Sequence, residues 1–306
     1  MSLHLLEPLL HGWPLLVSSA VLGLIIGSFL NVVIYRLPII LKRAWRAEWR
    51  AYLESDAEAG VVAELPQDDG LPKHYSLVRP LSTCPTCNKP IRPQHNIPLL
   101  SYLWLHGRCA CKKVAIGWQY PAVELLTAVL TVLVVWQWGV SVQALAALGV
   151  TWALLVLAGI DLKTQFLPDS ICLPLLWLGL IFNYFGVFTD LESAFWGAVA
   201  GYLSLWAVCR LHGLVTRWLG NDREGMGRGD FKLLAALGAW LGWQALPMVV
   251  LLASLSGLSV AAVLLVCRAH RWNVPIAFGP YLALGGWLGL VFGAQIAVVV
   301  PLLAPF

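Results

Sequence analysis

The sequence predicts an all-α polytopic membrane protein of about eight transmembrane helices, with a small cytoplasmic cysteine-knuckle domain. Three observations predict it. The 306-residue chain is 59% hydrophobic and 12% charged, with a mean hydropathy of +0.76; soluble domains carry charge at about 25% of positions. The apolar residues gather into stretches close to the ~20 residues that a bilayer's hydrocarbon core requires. Four cysteines fall in two pairs inside the one long polar stretch.

In chain order the apolar stretches lie near 14–35, 118–136, 143–160, 170–188, 193–209, 232–246, 247–267 and 276–300. The first is not expected to be a cleavable signal: nothing basic precedes it, and its exit at Tyr35-Arg36 is no small-residue cleavage site. Three segments follow, a first span (1–37), a cytoplasmic loop and cysteine domain (38–117), and a seven-helix membrane core (118–306). Orientation comes from the 20 Lys and Arg residues: twelve lie between Arg36 and Lys113, one is Lys163, five lie between Arg210 and Lys232, and two are Arg268 and Arg271. With eight spans these four segments share a side, while the opposite loops carry only the acids Asp190 and Glu192. The positive-inside rule makes the basic side cytoplasmic and sends both termini to the other compartment. The net charge of +4 therefore reports topology among membrane lipids and gives no reason to expect nucleic acid.

Gly27 to Pro38 closes the first span, with Asn31 one turn inside the interface, where a lone Asn usually makes an interhelical hydrogen bond. Residues 39–75, with Gly60, Pro66, Asp68-Asp69-Gly70 and Pro72, read as a short helix and a solvated linker. Next come Cys84-Pro85-Thr86-Cys87 and, after 21 intervening residues, Cys109-Ala110-Cys111. In a reducing compartment, paired thiolates at this separation read as a tetrahedral zinc knuckle pair that a small loop domain needs in order to fold. An iron–sulfur centre, a labile thiol cluster or a vestigial site are the alternatives. Cys172, Cys209 and Cys267 lie in or at the ends of apolar spans and read as small buried hydrophobes. Glu124 falls one turn into the second span, where it needs a partner: a headgroup-level Lys or Arg, or chemistry.

The most informative stretch is Gly225-Met226-Gly227-Arg228-Gly229-Asp230, which runs straight into an apolar segment. Glycines at alternate positions permit positive φ and close backbone approach. A carboxylate at the edge of a span is a functional candidate by default. Asp161 ends the third span, so both acids sit at cytoplasmic ends at similar depth. Two such carboxylates resist carrying two negative charges together, so one keeps a proton; the pair then supplies a base to activate water and an acid to protonate a leaving amine. Asp169, directly after Leu167-Pro168, competes with Asp161 for that role but reads better as an N-cap of the fourth span.

With Gly27–Pro38, the cysteine pairs, Asn96–Leu103, Tyr120–Glu124, Asp161–Asp169, Leu173–Leu180, Gly225–Trp240 and Phe278–Ala283 together, the chain resembles the type IV prepilin peptidases over nearly its whole length. These bacterial inner-membrane enzymes are bifunctional leader peptidases and N-methyltransferases, and belong to the G-x-G-D intramembrane aspartyl proteases. The resemblance implies that Asp161 and Asp230 are the catalytic pair, with Gly227 and Gly229 in the supporting loop. It implies that Cys84, Cys87, Cys109 and Cys111 hold a structural zinc. It also implies prepilin or pseudopilin substrates, whose short basic leader ends in Gly, and S-adenosylmethionine as methyl donor at residues that nothing in the spacing reveals. Two departures stand out: Arg228 occupies a position where the family more often has an aromatic residue, and C-x-C replaces C-x2-C in the second knuckle. The rival class is a proton-coupled transporter with Asp161, Asp230 and Glu124 as a relay, which predicts matching broken spans in two halves; no clear internal repeat is found. A structural scaffold with a cysteine-knuckle docking domain would leave the aspartate pair unexplained.

Overall fold

The computed structural model describes residues 12–55, 72, 74–80, 99, 102, 104, 106–108, 115, 117–218, 227–267 and 277–299. These residues are 85% helical and contain no strand. Eight helices occupy the positions of the eight apolar stretches: α1 (Trp13–Ser55), α2 (Gln119–Trp138), α3 (Val142–Thr164), α4 (Asp169–Tyr184), α5 (Leu191–Trp218), α6 (Arg228–Leu241), α7 (Leu246–Val266) and α8 (Gly279–Val299), with a 3-10 turn at Trp243–Ala245. Six are long and apolar enough to cross a membrane, while α4 and α6 have 16 and 14 residues. At 1.5 Å per residue those two reach about 24 and 21 Å, short of a ~30 Å hydrocarbon core.

The chain divides into two compact units, Ala20–Val129, and Met1–Ser19 with Leu130–Phe306. In the first, α1 does not stop at Leu37-Pro38 but runs 43 residues to Ser55. Pro38 removes one backbone bond and crowds the preceding turn, but the strong helix formers of Leu41–Ala51 carry the helix on. Arg36 is buried and donates to the carbonyls of Ser76 and Leu77 at 3.0 and 3.4 Å. The Arg36 and Arg43 guanidinium groups both lie 5.4 Å from the Tyr75 ring centre. Asn31 makes the interhelical bond expected of it, Nδ2 donating to the Tyr120 carbonyl at 3.0 Å.

In the second unit, the core is built from α3, α4, α6, α7 and α8 around fully buried Leu157, Leu233, Leu234, Leu237, Trp240, Val249 and Leu282. Lipid offers no hydrophobic drive to pair helices, so close approach and polar bonds must do it. α5 and α6 cross at Gly197 and Gly238, where a Cβ on either would collide with the other's backbone. α4 is bonded to α6 by Trp240 Nε1, which donates to the Leu175 carbonyl at 2.8 Å, and by Asn183 Nδ2, which donates to the Ala239 and Trp240 carbonyls. Asn183 Oδ1 accepts from Phe188 and Thr189 backbone N–H groups, so the expected fourth span ends at Tyr184 and the chain turns back through Gly186 at φ 68°. The Trp287 indole joins α8 to α3 by donating to Thr151 Oγ1 at 3.0 Å.

Candidate functional site

Asp161 lies in the last turn of α3, where its carbonyl accepts from Gln165, the left-handed C-cap at φ 51°. Its side chain is 5% exposed. Oδ2 accepts the backbone N–H of Gly279 at 3.0 Å, the first residue of α8, so a helix N-terminus points its unpaired amide at this carboxylate. Nothing bulkier fits there: a Cβ on Gly279 would lie 2.6 Å from Oδ2.

Asp230 lies in the first turn of α6 and is 7% exposed. Its N–H donates to the Gly227 carbonyl at 3.3 Å. The two carboxylates, 69 residues apart in sequence, are within electrostatic reach of each other. Asp161, Asp169, Asp230 and Lys232 all act electrostatically on the buried Cys172 thiol.

The glycines act differently from the sequence reading. Gly227 is an extended N-cap at φ −68°, ψ 136°, and Gly229 is inside the helix, so neither uses positive φ; Gly225 lies outside the described residues. What requires Gly229 is packing, since a Cβ there would come within 2.8 Å of the Leu167 Cβ.

Asp169 corrects a second expectation. The N-cap of α4 is Pro168, without a side-chain cap bond, and Asp169 is the first helical residue. Its two oxygens instead accept from Lys232 Nζ at 2.6 and 2.7 Å. Glu124, in the other unit, takes neither a headgroup-level cation nor a second carboxylate among its described partners. It accepts the Leu99 N–H at 2.8 Å and is hydrogen-bonded to the Ser28 side chain. Cys172 is fully buried as expected, but Cys209 is half-buried and Cys267, which ends α7, is exposed. Surface positions on a helix in lipid favour apolar groups as much as the interior does, so apolar context did not distinguish them.

Cys84, Cys87, Cys109 and Cys111 lie outside the described residues, so the zinc expectation is untested by the geometry; among the described residues no cluster of three or more His, Cys, Asp or Glu side chains could hold a metal. Sequence reasoning missed Gly279 as a partner of Asp161, although Gly279-Pro280 at the head of an apolar run is a legible helix start. It also missed Lys232, counted only as a topological charge.

Family models match the chain in two blocks: the bacterial peptidase A24 N-terminal domain over residues 21–138, and the type IV leader peptidase family over residues 148–262. The chain is 51% identical to the prepilin leader peptidase/N-methyltransferase of Aeromonas salmonicida over 294 residues, covering 95% of this chain and 96% of that protein. The chain belongs to the type IV leader peptidase family. A second relative so named, from Pseudomonas aeruginosa, is 50% identical over 286 residues, 94% of this chain and 93% of that protein. A third, from Neisseria gonorrhoeae, is 48% identical over 270 residues, 88% of each. No solved structure matches the chain. For a leader peptidase, both buried aspartates fall inside the matched 148–262 block, while the cysteine pairs and Glu124 fall in the N-terminal one.

Proposed function

We infer that this leader peptidase cleaves prepilins and N-methylates the new N-terminus, with Asp161 and Asp230 as the proteolytic pair. The observation that carries the reading is two buried carboxylates at helix ends that interact electrostatically, in a chain of this family. One carboxylate, ionised, takes a proton from water as it attacks the scissile carbonyl. The other, protonated, gives its proton to the leaving amine. The Gly279 amide holds Asp161 in place, and the extended Gly227 with side-chain-free Gly229 lets Asp230 enter α6 against Leu167. Membership of this family favours the peptidase over the transporter reading.

The finer parts of the proposal rest on residue chemistry and on the relatives' names. Four thiolates of Cys84, Cys87, Cys109 and Cys111 match the donor set of a structural zinc, which would hold the 38–117 segment together. S-adenosylmethionine would supply the methyl group; its residues are unassigned. Prepilins or pseudopilins would present their basic leader on the side carrying the 20 Lys and Arg residues, the cytoplasmic face of a bacterial inner membrane, with both termini opposite. Incubation of the purified protein with a prepilin, read by product mass, tests both activities in one spectrum. A substrate left at full mass refutes the peptidase reading, and a cleaved product without a methyl increment refutes the transferase.

A further inference from the structure

Asp161 and Asp230 sit on helices, α3 and α6, that share little direct contact with each other and both pack on α8. α3, which carries Asp161, packs mainly on α8 and is bonded to it through Gly279 and Trp287. α6, which carries Asp230, packs mainly on α5 and α4. The route in the chain from α3 toward α4, which packs on α6, is the short connector from Gln165 to Pro168, which turns through a left-handed residue and has no regular structure. Its downstream end is fastened to the turn that bears Asp230 at two points. Leu167, 4% exposed, lies against Gly229, and Asp169 takes both its hydrogen bonds from Lys232, two residues after Asp230.

We propose that Asp169 and Lys232 are a positioning pair for the proteolytic reaction: their ion pair fastens the connector that follows Asp161 to the helix turn that presents Asp230, and so fixes the separation of the two carboxylates. Stability alone is a poor reason for this pair. Asp169 is 53% exposed and Lys232 32%, and exposed ion pairs contribute little to folding. Farther along the helices, Trp240 and Asn183 already hold the α4–α6 interface; the ion pair adds a polar bond at the end where the two carboxylates lie. Small displacements there matter, because a shift of about 1 Å at a reacting group can cost roughly 100-fold in rate.

The inference rests on the reading of Asp161 and Asp230 as the catalytic pair, and the experiment separates the two. Leader cleavage is measured on the purified full-length protein with kcat and KM determined separately. The variants are Asp169→Asn, Lys232→Gln, their double, the exchange Asp169→Lys with Lys232→Asp, and the conservative Asp169→Glu, beside Asp161→Asn and Asp230→Asn. Each single neutral variant is expected to lower kcat roughly tenfold or more with KM unchanged. The double should be no worse than the worse single, because both remove one bond. Asp169→Glu and the exchange should recover part of kcat. Singles within twofold of wild type, additive losses, or a fall confined to Lys232→Gln overturn the pair; the last outcome would make Lys232 a substrate contact in its own right. If kcat falls in step with melting temperature and the exchange restores neither, the role is structural and the proposal fails. Activity remaining in Asp161→Asn or Asp230→Asn refutes the catalytic assignment instead.

Discussion

Gly279→Ala tests the site with one methyl group. The added Cβ would sit 2.6 Å from Asp161 Oδ2 and 3.1 Å from Cγ. Restoring an ordinary contact of about 3.4 Å requires the carboxylate and the α8 backbone to part by about 0.8 Å. The 3.0 Å bond from the Gly279 amide then stretches to roughly 3.8 Å, which is no longer a hydrogen bond. A bond to a charged group contributes about 1.5–3 kcal/mol, and a misplacement approaching 1 Å costs up to ~10²-fold. kcat is therefore expected to fall by about 10- to 100-fold. KM should change little, since the amide faces the carboxylate. Alanine is also a better helix former than glycine by roughly 0.5–1 kcal/mol, so helix propensity will not cause unfolding. The assay is leader cleavage at saturating and limiting substrate, with thermal melting of the same preparation. A variant with kcat within twofold of wild type would refute the view that this amide holds a catalytic carboxylate.

Asp161→Asn and Asp230→Asn should each abolish leader cleavage while membrane insertion and yield stay normal, because the isostere removes acid–base function at nearly constant volume; product mass spectrometry and membrane fractionation check both halves. Metal analysis should find one zinc per chain, and Cys84→Ser should release it and loosen the 83–113 segment to proteolysis without dismantling the helices; four freely alkylated thiols with no bound zinc would show that the shortened C-x-C knuckle holds no metal. Asn183→Ala strands the Ala239 and Trp240 carbonyls and the Phe188 and Thr189 amides of a side chain only 1% exposed. At about 1–3 kcal/mol for each buried group left unpaired, a loss of at least ~2 kcal/mol is expected, read as a clear fall in melting temperature with kcat at low temperature retained.

What the sequence by itself determined is the class and where the helices lie, because apolar runs are a one-dimensional quantity, visible without knowing what packs on what; the expectation of eight crossings rested on the same runs, and six of the eight helices have the length to cross while α4 and α6 fall short. The same logic put Asp161 and Asp230 at helix ends. Helix ends were less legible. Pro38 reads as a stop, but the residues after it are strong helix formers and α1 continues through it to Ser55. α4 stops at Tyr184, earlier than its apolar run, because the buried Asn183 turns the following strand of chain back on itself. Only the tertiary structure decided who meets whom at the site. That Gly279 serves Asp161, that Gly229 exists to admit Leu167, and that Asp169 belongs to Lys232 rather than to its own helix cap are contacts across 118, 62 and 63 residues of sequence. No local pattern encodes such pairs. They arise because helices in lipid associate through close backbone approach and a few polar bonds, and which helix faces which is fixed by the packing of the whole bundle.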